Sequence, residues 1–246
     1  MKEGQPLVSC ICLTHNSVDL LKRSLKCFQE QTYRNKELIV AFTEDNKSAA
    51  TLINRLGDSS VRPLVYSSET DMTLGEKRNA AIRHANGQYI CNWDDDDWHH
   101  RERVETQAKA LFSTGNKASI LSQIILYDGV SGDLYISATR WGWEQTLFCE
   151  KSLFDNPDWQ YQHVDRGEDS PLIYKLKQSN LLVSIPNPHL YIYVYHARNV
   201  FHREHWEVNL LPWAEKMMPD RAAVVLAMLD EEGGDKNNEQ GARNTE

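Results

Sequence analysis

The chain has 246 residues, 41% of them hydrophobic, enough to build one large α/β domain around a sizeable core. Its 27 Lys and Arg against 35 Asp and Glu argue against a general affinity for duplex nucleic acid. No window approaches the roughly 18 consecutive apolar residues of a membrane span, and Met1 to Pro6 lacks the pattern of a signal peptide, so a cytoplasmic location is expected.

Leu7 to Leu13 is a nearly continuous apolar run bounded by Pro6 and Thr14, as expected of a strand buried on both faces. From Val18 to Gln31 the residues Leu21, Leu25 and Phe28 recur at helical spacing, with Asn16 or Ser17 as the expected N-cap. Glu37 to Phe42 repeats the strand signal, Lys47 to Leu56 the helical one, and Val61 to Tyr66 a third short strand. This βαβαβ order predicts a mainly parallel sheet flanked by helices. A helix from about Gly75 to Ala85 stops at Asn86-Gly87 and leads into the strand Gln88 to Trp93, which ends in four aspartates.

Beyond a helix at about Arg101 to Phe112, the chain becomes a mixed α/β half. A strand Ile120 to Tyr127 turns near Asp128-Gly129 or Ser131-Gly132 into Leu134 to Ala138, a hairpin. Gly167 to Ser179 reads as a helix with Ser170 as N-cap and Pro171 first inside it, followed by strands Leu182 to Ile185 and Leu190 to Tyr195. The region Trp206 to Leu229 is helical but interrupted by Pro212 and Pro219, and is expected to pack on the domain; peripheral contact with a membrane stays open. A single domain is therefore expected over residues 1–230, with 1–98 and 99–230 as its halves and 231–246 as a disordered tail. Cys10, Cys12, Cys27, Cys91 and Cys149, an odd number mostly inside apolar runs, read as reduced core thiols.

In open α/β sheets ligands gather beyond the carboxyl ends of the strands, so Thr14 to Asn16, Thr43 to Asn46 and Asp94 to Asp97 should share one crevice. Four adjacent carboxylates repel and weaken the strand they end unless a cation offsets them. Hard oxygen ligands favour Mg²⁺ or Mn²⁺, which bridge carboxylates to phosphate oxygens. The alternative is a solvated acidic loop or a weak Ca²⁺ site, and the position between an apolar strand and Trp98 weighs against it.

Leu7 to Asn16, Glu37 to Asn46 and Gly75 through Trp98 resemble, in order and spacing, the inverting glycosyltransferases of family 2 with the GT-A fold. The likeness extends over roughly residues 5 to 205, and its strand-ending acidic triplet, the family's DXD motif, is Asp94-Asp95-Asp96. The resemblance implies a nucleotide-sugar donor, with UDP as the usual nucleotide, and a glycan, lipid or small-molecule acceptor. It places Thr14, His15 and Asn16 at the base, and Asp45, with Glu44 as its rival, at the base or ribose. Lys77 and Arg78 fall near the base or diphosphate, although both could equally be solvated helix residues. Asp94 would approach the ribose or sugar, Asp97 the sugar hydroxyls, and Asp96 would hold the metal.

Inverting transfer needs a carboxylate to take the acceptor proton. Gly167-Glu168-Asp169-Ser170 is similar to the family's acidic pair before a helix, which implies Asp169 as the base and Glu168 as the alternative. Trp143 and Glu144 fall in Gly142 to Phe148, which resembles the strand before the family's acidic pair on the acceptor side, although Trp141 and Trp143 fit core packing at least as well. Tyr195-His196-Ala197-Arg198-Asn199 resembles a segment that supplies a metal-binding histidine, so His196 is the expected ligand, with His202 and His205 competing. His99, His100, His163 and His189 read as surface or loop residues. A nucleotidyltransferase would want a Gly-rich basic loop where Thr14-His15-Asn16 stands. The remaining alternative is a non-catalytic nucleotide- or metal-binding module, which retention of both Asp96 and Asp169 argues against.

Overall fold

The computed structural model describes residues 4–15, 18–140 and 142–233. The first half forms β1 (Val8–Leu13), α1 (Val18–Gln29), β2 (Lys36–Thr43), α2 (Lys47–Leu56), β3 (Val61–Tyr66), α3 (Leu74–His84), β4 (Tyr89–Asn92), β5 (Trp98–His99) and α4 (Arg103–Thr114). The second forms β6 (Ala118–Leu121), β7 (Ile125–Asp128), β8 (Asp133–Ser137), β9 (Phe148–Glu150), α5 (Ser170–Gln178), β10 (Leu182–Ile185) and β11 (Tyr191–Tyr195). α6 (Arg203–His205), β12 (Ala214–Lys216) and α7 (Pro219–Gly233) close the described chain.

Seven strands make the main sheet in the order β10-β6-β9-β4-β1-β2-β3. All pairings are parallel except those of β9, which runs antiparallel between β4 and β6. Alternation along β1 explains why its whole sequence is apolar. Val8, Cys10 and Cys12 join the core against α1, while Ile11 faces the opposite core with Ile82 of α3 and Ile173 of α5. Local chemistry sets the helix ends. Asn46 accepts from the Ala49 amide at α2, Thr73 and Glu76 form a reciprocal capping box at α3, and Gly115 ends α4 in the left-handed conformation.

A second, five-stranded sheet runs β12-β8-β7-β11-β5. The acidic residues 94–97 lie between β4 of the first sheet and β5 of the second, so they bridge the two layers. β11 lies between β7 and β5, and the turn that follows it returns to the same place.

Several expectations change. The single strand expected over Ile120 to Tyr127 is two strands in different sheets. The chain leaves the first sheet after Leu121, where Ser122 N still donates to Ile185 O, and enters the second with Ile124 N donating to Ser137 Oγ. The helix at 170 is capped in position by Asp169, not by Ser170. α7 continues through Gly233, past the start of the expected tail, and residues 234–246 lie outside the described residues. Trp206 is buried and stacks on Tyr195, while Val225 and Leu229 of α7 join the core that contains α1, so this region packs on the domain. All five cysteines are free and buried, and no helix among the described residues is long and apolar enough to cross a membrane.

Candidate active site

The acidic turn is held from behind by its backbone. His99 Nε2 and Ser24 Oγ contact Asp94 O at 3.0 and 3.4 Å, and Arg23 donates to Asp96 O. Trp93 beneath it donates to Ser24 Oγ at 2.9 Å and stacks on His99. With carbonyls occupied, the side chains divide. Burial and the Asp96 charge push the Asp95 carboxyl up to about 7, against the pull of the Thr14 hydroxyl. Burial also raises Asp94, which the Arg78 guanidinium opposes.

Asp97 departs from its expected place facing the sugar. It is 1% exposed, Tyr191 OH donates to its Oδ2, and Val194 N donates to its Oδ1 at 2.8 Å. Its carboxylate ties the turn to β11 and is not presented to the cleft. His99 is likewise buried, not superficial. Arg103 Nη1 donates to its Nδ1 at 2.5 Å, so Nε2 carries the ring proton and donates to Asp94 O.

Arg78 joins the two distant acidic motifs. Its Nη2 lies 3.2 Å from Asp94 Oδ1 and its Nε 2.9 Å from Glu168 Oε1, while its Nη1 is buried without a partner. Gly75, one turn earlier, makes this approach possible, because a Cβ there would stand 1.7 Å from Gln162 O. Gly75 N donates to Val164 O, and Asn79 exchanges hydrogen bonds with the Tyr161 backbone, so α3 grips the segment that carries Glu168 and Asp169. Lys77 is half-buried on the neighbouring face, with its carbonyl accepting from Tyr66 OH.

Glu168 is thus committed to a cation, whereas Asp169 sits at the N-cap position of α5 and makes no capping hydrogen bond. Burial raises the Asp169 carboxyl; Arg78 pulls it back, and the charges of Glu144 and Asp94 push it up again. Glu144 begins a short 3-10 turn and is itself raised by burial. Its neighbour Trp143 is 5% exposed, packs with Leu121 and Ile124, and lies under the Arg140 guanidinium. Of the two readings of Trp143, acceptor-side contact and core packing, the structure shows core packing.

At the end of β11, His196 Nε2 lies 3.1 Å from Asp96 Oδ2. Arg198 N donates to His196 Nδ1 at 3.2 Å, which leaves the ring proton on Nε2, directed at Asp96. Asn199, absent from the sequence-derived candidates, accepts from His196 N at 2.8 Å and donates to Val194 O at 2.9 Å, with Asp96 Oδ2 at 3.4 Å. His202 precedes α6, and His205 lies within it beside Asn209. Among the described residues, no three His, Cys, Asp or Glu side chains form a metal cage. One carboxylate oxygen and one imidazole nitrogen 3.1 Å apart nevertheless suit adjacent ligands of an octahedral ion with bonds of about 2.1 Å, which stand about 3 Å apart. Such a pair fits an ion that takes its other ligands from phosphate and water.

On the opposite side, Thr14 lies beside Asp95, and the His15 ring acts on Asp45. The Thr43 hydroxyl holds the exposed Asp45 carboxyl below the usual range. Glu44 accepts from Ser67 Oγ, Ser68 N and Ser68 Oγ, which occupies it in a turn after β3. Asn16 lies outside the described residues, as does Trp141.

A mainly parallel sheet whose strands deliver an acidic turn to a second, smaller sheet is the GT-A architecture. S. aureus TarS in complex with UDP-GlcNAc superposes with a TM-score of 0.65 at 16% identity, covering 92% of this chain and 66% of that one. The mannosyltransferase PcManGT from Pyrobaculum calidifontis, in complex with GDP-Man and Mn²⁺, gives 0.60 at 15% identity, covering 80% and 59%. The chain belongs to glycosyl transferase family 2, whose model it matches over residues 9–165. Among named relatives, the Escherichia coli UDP-Glc:alpha-D-GlcNAc-diphosphoundecaprenol beta-1,3-glucosyltransferase WfgD is 31% identical over 105 residues, 43% of this chain and 41% of that protein. The chain spans less than half the length of the curated relatives it matches.

Proposed function

We propose that the protein is a metal-dependent inverting glycosyltransferase that moves a sugar from a nucleotide-sugar, with UDP as the nucleotide, to a glycan or lipid acceptor. The observation that carries this reading is the Arg78 bridge, which brings Asp94 of the donor-side acidic turn and Glu168 of the acceptor-side pair onto one guanidinium. The base and ribose would rest against Thr14, His15 and Asp45. Asp96 and His196 would hold Mn²⁺ or Mg²⁺ against the diphosphate, and the ion would neutralise the leaving group.

Asp169 would accept the proton of the acceptor hydroxyl as that oxygen bonds to the anomeric carbon and the sugar–diphosphate bond breaks on the opposite face. Its raised pKa suits a base that must hold a proton transiently, and its lack of a capping bond leaves its oxygens available. Glu168 is the weaker candidate because Arg78 already engages it. The UDP-GlcNAc bound by TarS and the UDP-Glc and diphosphoundecaprenol-linked substrates in the name of WfgD support UDP as the nucleotide and a glycan or lipid as the acceptor.

Calorimetry tests the donor half: UDP binding should require Mn²⁺ in the wild type and be lost in Asp96→Ala. Asp169→Asn should keep UDP affinity while transfer falls by about 10²–10⁴-fold. Metal-independent UDP binding, or a matching loss of UDP affinity in Asp169→Asn, would remove this assignment of roles.

A further inference from the structure

The turn that carries His196 has its own support. Ala197 adopts φ +64°, a left-handed conformation that costs a non-glycine residue free energy, so something must hold the turn in that shape. Asn199 does so. It is 9% exposed, and its amide spends its oxygen on His196 N and its nitrogen on Val194 O, with Asp96 Oδ2 next nearest. One side chain therefore joins the end of β11, the backbone of His196 and the carboxylate of Asp96.

The second contact in the turn, from Arg198 N to His196 Nδ1, supports the ring only while Nδ1 is an acceptor. A ring that offers Nε2 as a metal ligand carries its proton on Nδ1, where the Arg198 amide would then face another donor. The Asn199 bonds run to backbone atoms and the Asp96 oxygen, so they do not depend on which ring nitrogen holds the proton. We propose that Asn199 is the positioning residue of the Asp96–His196 pair. It keeps the imidazole within reach of the ion when the Arg198 contact is given up. This inference rests on the metal site proposed above.

Mn²⁺ with UDP is the probe, read by electron paramagnetic resonance on protein labelled with ¹⁵N-histidine. The wild type should show Mn²⁺ coupled to one histidine nitrogen. Asn199→Ala should bind Mn²⁺ about 10-fold more weakly, as outer-shell losses do, and should lose the nitrogen coupling, a signature that general destabilisation does not erase. Unchanged affinity and coupling in Asn199→Ala overturn the role of Asn199. A wild type that binds Mn²⁺ without nitrogen coupling removes His196 as a ligand, and this inference with it. A measurement on the wild type covers the case of a variant that fails to fold. The His196 amide should stay protected from hydrogen exchange when Mg²⁺ and UDP are added; loss of that protection refutes the proposal.

Discussion

Replacing Arg78 by Met removes the charge shared by Asp94 and Glu168 while keeping an unbranched side chain over Tyr161. The Glu168 side chain is only 5% exposed, so its carboxylate would be left buried without a cation. Removing one partner of a buried pair costs about 3–5 kcal/mol. For a domain of this size that corresponds to a fall in Tm of roughly 6–20 °C. The loss should depend on pH. Burial already raises Glu168 in the wild type, and Arg78 restrains the rise. Without Arg78 the folded pKa climbs further, and an acid raised in the folded state costs stability as pH rises from its unfolded value of about 4.3 toward its folded one. The deficit should therefore vanish well below pH 4, where Glu168 is neutral in both states, and grow as pH rises toward the folded value. Urea unfolding at several pH values measures it, and Glu168→Gln added to Arg78→Met should recover most of the loss. A deficit below about 1 kcal/mol, or one equal at all pH values, would refute the shared-cation argument.

Gly75→Ala places a methyl group on the Gln162 carbonyl, and overpacking of this kind costs about 1–3 kcal/mol. Because the displaced segment carries Glu168 and Asp169, transfer should fall by a larger factor than UDP affinity; parallel losses in calorimetry and rate would contradict this. Glu37 lies at the start of β2, away from the site, and accepts from Ser9 Oγ at 2.6 Å, Arg62 at 2.8 Å and Asn86 N at 2.7 Å. Burial works to raise its carboxyl, but these donors hold it below the usual range, so its stabilisation is present above that range and fades as pH falls through the folded value. Glu37→Gln should cost about 2 kcal/mol at neutral pH, leave UDP affinity unchanged, and match the wild type in strong acid when unfolding is followed by circular dichroism.

The first half of the fold was legible because each element there satisfies its own local rules. β1 and β2 are buried on both faces and read as continuous apolar runs, and α2 and α3 carry their own caps. β5 was not legible, and β9 was touched only at its first residue, Phe148, where the resemblance ended a strand that is largely a 3-10 turn. β5 and β9 are two and three residues long, and only pairing with distant strands makes them strands at all. Ile120 to Tyr127 misled for a related reason: both of its strands are apolar, and the point where the chain changes sheets is set by Ile185 and Ser137 rather than by a Gly or Pro within the run.

The candidate site divides along the same line. Charge and position at a strand end nominated the acidic turn, and the resemblance to family 2 nominated the pair before α5 and His196. One further distinction was available in phase: Gly75, Arg78, Asn79 and Ile82 recur at helical spacing and form the buried stripe of α3, which separates Arg78 from the adjacent Lys77. The fate of each aspartate was not available. Asp94, Asp95, Asp96 and Asp97 are chemically identical and consecutive, and what differs is the group that the fold brings to each: Arg78, Thr14, His196 and Tyr191. Three of these four partners come from other strands' ends or from the helix opposite, and Tyr191 is the first residue of the second sheet's β11. Asp97 is therefore the member of the run whose buried carboxyl group anchors the turn along β11, while Asp94, Asp95 and Asp96 meet Arg78, Thr14 and His196.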